Sequence, residues 1–314
     1  FLAQSVFSHV LVRFWAVADS TELRWPWSGF CSTEDEIDCE VLLSIFAETL
    51  GTRVPKMTNK RALITGASAG LGREFARQLA AAGKDLVLVA RRREPMEELA
   101  TELRDAHGVE VAILTADLSD PAAPADLFRE TQAQGFDVDY LINNAGSEGP
   151  DLIKVRDWDR QDAYLRLMMS SVAAMCHEFM PGMIEGGYGR VINVASVAGL
   201  LTVANDYSYG PTKAYLVALS KALASTYKEK GVNVMALCPG FTHTDFHASD
   251  RLTIMKANMP KFAWYDADVV IRDGLAAIER GKDVCISGRL YRLFVPVFRQ
   301  RWTQGVLKLL GVSI

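Results

Sequence analysis

The chain has 314 residues, 49% of them apolar and 23% charged, with a mean hydropathy of +0.07, which are the proportions of a globular enzyme long enough to bury its own core. Its 38 acidic and 34 basic side chains leave a formal charge of −4, which excludes a strongly basic nucleic-acid binder. Cys31, Cys39, Cys176, Cys238 and Cys285 form no CxxC pair, and this odd, scattered set reads as reduced thiols of a cytosolic protein.

Residues 1–56 stand apart. They hold three of the six tryptophans (Trp15, Trp25, Trp27) and eight acids against four bases, so the segment carries the whole net charge. The stretch Phe1 to Ala18 is apolar but is interrupted by Gln4, His9 and Arg13, and it falls short of the roughly 20 apolar residues of a membrane span. It also lacks the basic start and small-residue cleavage site of a secretory signal. Two readings stand: an upstream extension or displaced start, or a membrane or partner anchor. A compact domain is expected over residues 57–289, followed by a basic and apolar tail, 290–314.

From Met57 the pattern repeats strand, turn, helix. Apolar runs at Arg61–Thr65, Leu86–Ala90, Val111–Leu114, Tyr140–Ile142, Arg190–Ala195, Val232–Leu237 and Val284–Ile286 read as strands. Between them lie helical patterns at Gly70–Ala82, Pro95–His107, Ala122–Gln134, Trp158–Ile184, Tyr207–Glu229 and Ala267–Glu279. Continuous apolar strands alternating with amphipathic helices predict an α/β fold, a parallel sheet covered by helices on both faces. Ligands of such sheets bind at the carboxyl ends of the strands, so chemistry is expected just after them.

The first strand closes into Thr65-Gly66-Ala67-Ser68-Ala69-Gly70-Leu71-Gly72. Gly66 permits a sharp turn, Gly70 a close approach of backbone to a pyrophosphate, and Gly72 close packing of helix on strand. The helix N-terminus then offers free N–H groups and a positive dipole end to phosphates, with Ser68 and Leu71 in the same turn. Turns and caps also use glycine, but the placement between strand and helix favours a nucleotide site. After the second strand comes Ala90-Arg91-Arg92-Arg93, where binders of NAD usually carry an acid. With no carboxylate there, Arg91 and Arg92 are placed to pair with a 2′-phosphate, which predicts NADP(H); the plainer alternative is a solvated basic helix start. Asp117-Leu118 follows the third strand, either at an adenine edge or with Asp117 capping the next helix. Asn143-Asn144-Ala145-Gly146 ends the fourth, small enough for backbone to lie against a ribose.

Ser196 ends the fifth strand, and Tyr209 and Lys213 follow, the last two on one helix face at i, i+4. A phenol with a pKa near 10 is a poor base at neutral pH. A lysine cation about 4 Å away, at an effective dielectric near 20, offers roughly 4 kcal/mol toward the phenolate. Ser196 would hold a substrate oxygen beside the tyrosine, which then acts as general acid or base.

These motifs, in this order from about Lys60 to about Arg289, resemble the short-chain dehydrogenase/reductase family. The resemblance implies a single domain with a Rossmann-like, doubly wound parallel seven-stranded sheet. It also implies hydride transfer between NADP(H) and a carbonyl or alcohol substrate. Pro239, Gly240, Thr242 and Thr244 would lie at the nicotinamide end, and residues 246–264 would form a lid. A homodimer or homotetramer would be built on the two long helices.

Where relatives usually carry an Asn about 28 residues before the catalytic Ser, this chain has Met168; a polar substitute such as Ser171 requires a shift of three. In the family that Asn helps hold a water linking the lysine to solvent, so Met168 predicts a working but slower relay, the alternative being an impaired dinucleotide-binding scaffold. In the lid, Leu252, Ile254, Met255, Met259, Phe262 and Trp264 suit a lipophilic ligand or simply pack the lid down. His243 and His247 lack a third ligand, so no metal is expected. In the tail, Arg289, Arg292, Arg299, Arg301 and Lys308 among aromatics fit either an anionic membrane surface or a subunit contact, so a cytoplasmic protein peripheral to a membrane is one expectation.

Overall fold

Seven short aliphatic runs build the sheet. In a computed structural model, which describes residues 60–202, 205–243 and 264–298, they form β1 (Arg61–Thr65), β2 (Asp85–Ala90), β3 (Val111–Thr115), β4 (Tyr140–Asn143), β5 (Gly189–Val194), β6 (Val232–Cys238) and β7 (Val284–Ile286). Neighbours are all parallel, in the order β3-β2-β1-β4-β5-β6-β7. Strand order therefore reverses between β1 and β4, which opens a crevice at their carboxyl ends. The expected extension 1–56, Thr244, the lid up to residue 263 and the tail beyond 298 lie outside the described residues.

Side chains of a strand alternate between faces, and here both faces are dry. Ala62, Ile64, Leu86, Leu88, Ile142 and Ile192 pack with Phe75 and Leu79 of α1 (Gly70–Ala81), Met96 and Leu99 of α2 (Glu94–His107) and Ile271 and Ile278 of α7 (Ala267–Glu279). On the other face Leu63, Val87, Leu141, Val191 and Val234 meet Leu127 of α3 (Ala123–Ala133), Met175 and Phe179 of α5 (Ser171–Glu185) and Ala224 of α6 (Tyr209–Tyr227). Each such fully buried Leu, Ile or Phe contributes roughly 1.5–3 kcal/mol.

The long helical pattern from Trp158 is one path with a defect. It runs as α4 (Trp158–Leu165), a π-turn at Arg166–Ser170 and then α5. The π-turn contains Met168, which is 1% exposed. The helix expected from Tyr207 starts at Tyr209 instead, because the Asp206 carboxylate accepts the N–H groups of Tyr209 and Gly210 (3.0 and 2.9 Å) and so fixes the start.

Polar groups inside the sheet form chains. Asn143 Nδ2 on β4 donates to Asn193 Oδ1 on β5 (2.9 Å), Asn193 Nδ2 donates to Ser220 Oγ on α6 (2.9 Å), and Ser220 Oγ donates to the Leu216 carbonyl (2.7 Å). At the amino ends of the strands, Tyr140 donates to Glu279 (2.7 Å) and Arg190 Nε donates to the same carboxylate (2.9 Å). After β7 comes α8 (Arg289–Phe298). Among the described residues no helix is long and apolar enough to cross a membrane.

Candidate active site

The turn after β1 is built for a phosphate ligand. Gly66 and Gly70 take φ of 67° and 53°, the left-handed region. A Cβ on Gly72 would stand 2.2 Å from the Gly66 carbonyl oxygen, so only glycine lets α1 approach this turn. Asn144 holds the turn from β4: its Nδ2 donates to the carbonyls of Thr65 (2.9 Å) and Gly66 (3.3 Å). Thr65 Oγ1 in turn accepts the N–H groups of Asn144 and Ala145 (2.9 and 3.0 Å). Neither α1 nor α2 has a capping side-chain bond, but α2 opens with Glu94, Pro95 and Glu97, as the helix dipole favours, whereas α1 has no acid in its first turn. An anion at the α1 N-terminus fits the donors there.

Arg92 reaches across the turn and donates to Ser68 Oγ (3.5 Å), and Arg91 and Arg92 are both exposed. The place after β2 holds no carboxylate of its own, but one reaches it from the neighbouring strand's loop. The register of β2 on β3, Ala90 against Thr115, brings Asp117 to 3.9 Å from Arg91 Nη1. Asp117 does not cap α3 either: its Oδ1 accepts Ser119 N–H and Oγ–H (2.9 and 2.8 Å), and these bonds, with Arg91 nearby, hold its carboxyl below the usual range. The Leu118 side chain is 6% exposed and packs in the core with Val89, Leu114 and Leu127, so only its backbone faces outward chemistry. Leu71 likewise packs against the core, while Gly146 is exposed at the crevice.

Ser196 lies two residues past the end of β5, heading a single 3-10 turn, Val197–Gly199, rather than ending the strand as expected. That turn lies on α6, where a Cβ on Gly199 would come within 2.5 Å of the Lys213 carbonyl carbon. Gly199 was not legible as a functional position, yet this close approach is what brings Ser196 to Tyr209, whose phenol it hydrogen-bonds. Lys213 Nζ lies 5.6 Å from the Tyr209 ring centroid and donates to the Val194 carbonyl (2.7 Å).

Electrostatics here departs from the simple attraction argued from spacing. Desolvation pushes the Tyr209 phenol up to about 12, against the downward pull of Ser196. Desolvation also pushes the Lys213 amine down to about 8. Loss of water around each group outweighs the attraction between them. The phenol is thus held protonated at neutral pH.

Met168 lies beside this pair. Its Sδ accepts the Ser147 N–H (3.4 Å) and sits 3.2 Å from the point where a Gly146 Cβ would be, with Lys213 Nζ 3.8 Å from that same point. Ser171 offers no substitute, because its hydroxyl donates to the Leu167 carbonyl (2.7 Å). After β6, the Pro239 carbonyl accepts Val197 N–H (3.0 Å), and Thr242 Oγ1 donates back to the Gly240 carbonyl (3.1 Å). Trp264 stacks with His243 at 5.1 Å between ring centroids.

Glycine turn, asparagines and serine therefore follow neighbouring strands at their carboxyl ends, with tyrosine and lysine on the helix packed beside them, and the comparisons agree on the class of this fold. The model of short chain dehydrogenases matches residues 60–254, more than half of the chain, which belongs to that family. The very-long-chain 3-oxoacyl-CoA reductase of Anas platyrhynchos is 30% identical over 187 residues, 58% of this chain and 60% of that protein. A short-chain dehydrogenase from Sphingobium yanoikuyae, solved in complex with NADPH, superposes with a TM-score of 0.65 at 29% identity, covering 79% of this chain and 95% of that one. The bulky-bulky ketone specific alcohol dehydrogenase from Comamonas testosteroni does so with a TM-score of 0.65 at 26% identity, over 80% and 95% of the two chains.

Proposed function

We propose that this chain is an NADP(H)-dependent oxidoreductase acting on a carbonyl or alcohol, with Tyr209 as general acid and base, and that a lipophilic compound is the substrate. The observation that carries the reading is the Ser196–Tyr209 hydrogen bond with Lys213 beside it, at the carboxyl ends of β5 and β6 and next to the glycine turn. When bound, the reduced dinucleotide supplies a hydride to the carbonyl carbon.

The rest is done by the protein. The α1 N-terminus, with Gly66, Gly70 and Gly72 giving room, takes the pyrophosphate, and Ser68, Arg91 and Arg92 take a 2′-phosphate. The NADPH-bound Sphingobium relative supports that preference. Asn144, Ala145 and Gly146 line the adenosine side, with Asp117 and the Leu118 backbone at the base. Pro239, Gly240, Thr242 and Thr244 line the nicotinamide side. Ser196 holds the substrate oxygen, the Tyr209 phenol gives it a proton, and the Lys213 ammonium stabilises the phenolate left behind. In the oxidising direction the phenolate accepts the alcohol proton. A lipophilic substrate follows from the apolar residues of the lid sequence and accords with the substrates named for the Anas and Comamonas relatives. The second reading, an inactive dinucleotide-binding scaffold, rests on Met168 alone.

NADPH consumption across aldehydes, ketones and steroid-like carbonyls tests this, with Tyr209→Phe as the comparison. The variant is expected to bind NADPH and to lose about 10²–10⁴-fold in turnover, the range typical of a lost general acid. Equal, background rates for both proteins with cofactor bound would leave the scaffold reading standing.

A further inference from the structure

The loop after β6, residues 239–243, is held from outside the crevice by two tyrosines that come later in the chain. Tyr265 pairs with it through backbone, its N–H donating to the Phe241 carbonyl and its carbonyl accepting His243 N–H, both at 3.0 Å. Tyr291, on α8, holds it with its side chain. The ring occupies the space beside Gly240, where an added Cβ would stand only 2.0 Å from Cε2, and the hydroxyl accepts Phe241 N–H at 3.3 Å. Only a glycine at 240 permits that contact.

The support beneath Tyr291 is firm. Arg292, next in sequence, pairs with the Asp273 carboxylate on α7, and its Nε donates to the Ile286 carbonyl of β7 (3.0 Å). Leu290 N–H donates to the Tyr265 hydroxyl (3.3 Å), and the two tyrosine rings lie 6.0 Å apart. The loop they grip is joined to the chemistry at its other end, because the Pro239 carbonyl accepts the N–H of Val197, the residue after Ser196. A shift of this loop therefore moves the nicotinamide side and the Ser196 turn together.

We propose that Tyr291 is a positioning residue for hydride transfer, its ring on Gly240 setting the distance between the dinucleotide's nicotinamide end and the substrate oxygen held at Ser196, with the hydroxyl on Phe241 N–H as a minor aid. Helix α8 thereby belongs to the working parts of the enzyme. The proposal rests on the cofactor reading above, and the experiment separates the two.

Wild type, Tyr291→Phe and Tyr291→Ala, as full chains, are compared for NADPH binding by fluorescence, for kcat and KM, for thermal melting, and for the primary isotope effect with NADPH deuterated at C4. Tyr291→Phe keeps the ring and loses only the acceptor, so it is expected within about threefold of wild type. Tyr291→Ala empties the space over Gly240. A misplacement of about 1 Å costs on the order of 10²-fold, so kcat is expected to fall at least tenfold with a raised isotope effect. If the alanine variant does not fold, Tyr291→Leu, which fills the volume without a flat ring, takes its place with the same expectation. A purely structural role would lower the melting temperature and leave kcat per folded molecule and the isotope effect unchanged, and that result overturns the proposal. Wild type that fails to bind NADPH overturns the cofactor reading itself; wild type that turns over while Tyr291→Ala matches it overturns only the role of Tyr291.

Discussion

A buried amine beside the reacting groups is a burden on the fold, and Lys213→Met measures it. Desolvation lowers the Lys213 pKa from 10.5 to about 8. At about 1.36 kcal/mol per unit, the charged form is destabilised by roughly 3 kcal/mol. Between pH 8 and 10.5 the unfolded chain holds more protons than the folded one, so stability rises with pH; below about 8 both states are protonated and the cost is complete. Methionine removes the charge and keeps the length. It also deprives the Val194 carbonyl of a donor at 2.7 Å, which costs about 1–3 kcal/mol. At pH 7 the variant is therefore expected to be as stable as wild type or up to about 2 kcal/mol more stable, while turnover is lost. The decisive comparison is urea denaturation of both proteins, free of dinucleotide, from pH 7 to pH 10. Wild type should gain about 2–3 kcal/mol relative to the variant over that range, as the linkage predicts. A difference that stays constant with pH would refute the account, since it would mean the amine keeps its ordinary pKa in the fold.

Three further outcomes are expected. Gly72→Ala places a Cβ 2.2 Å from the Gly66 carbonyl oxygen, so it should cost about 1–3 kcal/mol in denaturation and weaken NADPH binding at least tenfold; unchanged values would show that the turn yields. Replacing Arg91 and Arg92 with alanine should lower kcat/KM with NADPH by about 10–150-fold, the worth of a charged hydrogen bond of about 1.5–3 kcal/mol, and leave kcat/KM with NADH nearly unchanged. An equal loss with both cofactors would count against a 2′-phosphate site. Met168→Asn should raise kcat by about two- to tenfold and lower stability by about 1–3 kcal/mol for a polar group in a dry position; no gain in kcat would show that backbone alone sustains the proton path.

Strands and most helices were legible because burial on both faces demands unbroken apolar runs, as in Leu86–Ala90, and because glycines punctuate them. The π-turn at Arg166–Ser170 was not, since Leu167, Met168 and Met169 suit any helix and nothing in their composition marks an extra residue in a turn. Arg91 and Arg92 stood out as the residues that follow the second strand, where a 2′-phosphate would be met. Asp117 was singled out as well, but not its pairing with Arg91, because their proximity comes from the β2–β3 register, not from sequence distance. It was recoverable by treating those strands as adjacent. The Tyr209–Lys213 spacing located the pair but not its protonation, because spacing carries no information about water. Tyr291 had no signal at all: it meets Phe241 across 50 residues through a helix whose docking depends on Asp273.

The asparagine chain from β4 to α6 has a consequence for how this sequence can change. Asn143, Asn193 and Ser220 donate in one direction, each using the next as its acceptor. Replacing any one with leucine leaves another's polar atom stranded in a dry interior, whereas exchanging all three for apolar residues of matching volume strands none. Single steps along that route each pass through a weakened intermediate, so drift at these three positions is expected to be coupled, and a library randomising them together should recover folded variants that no one-at-a-time scan would find.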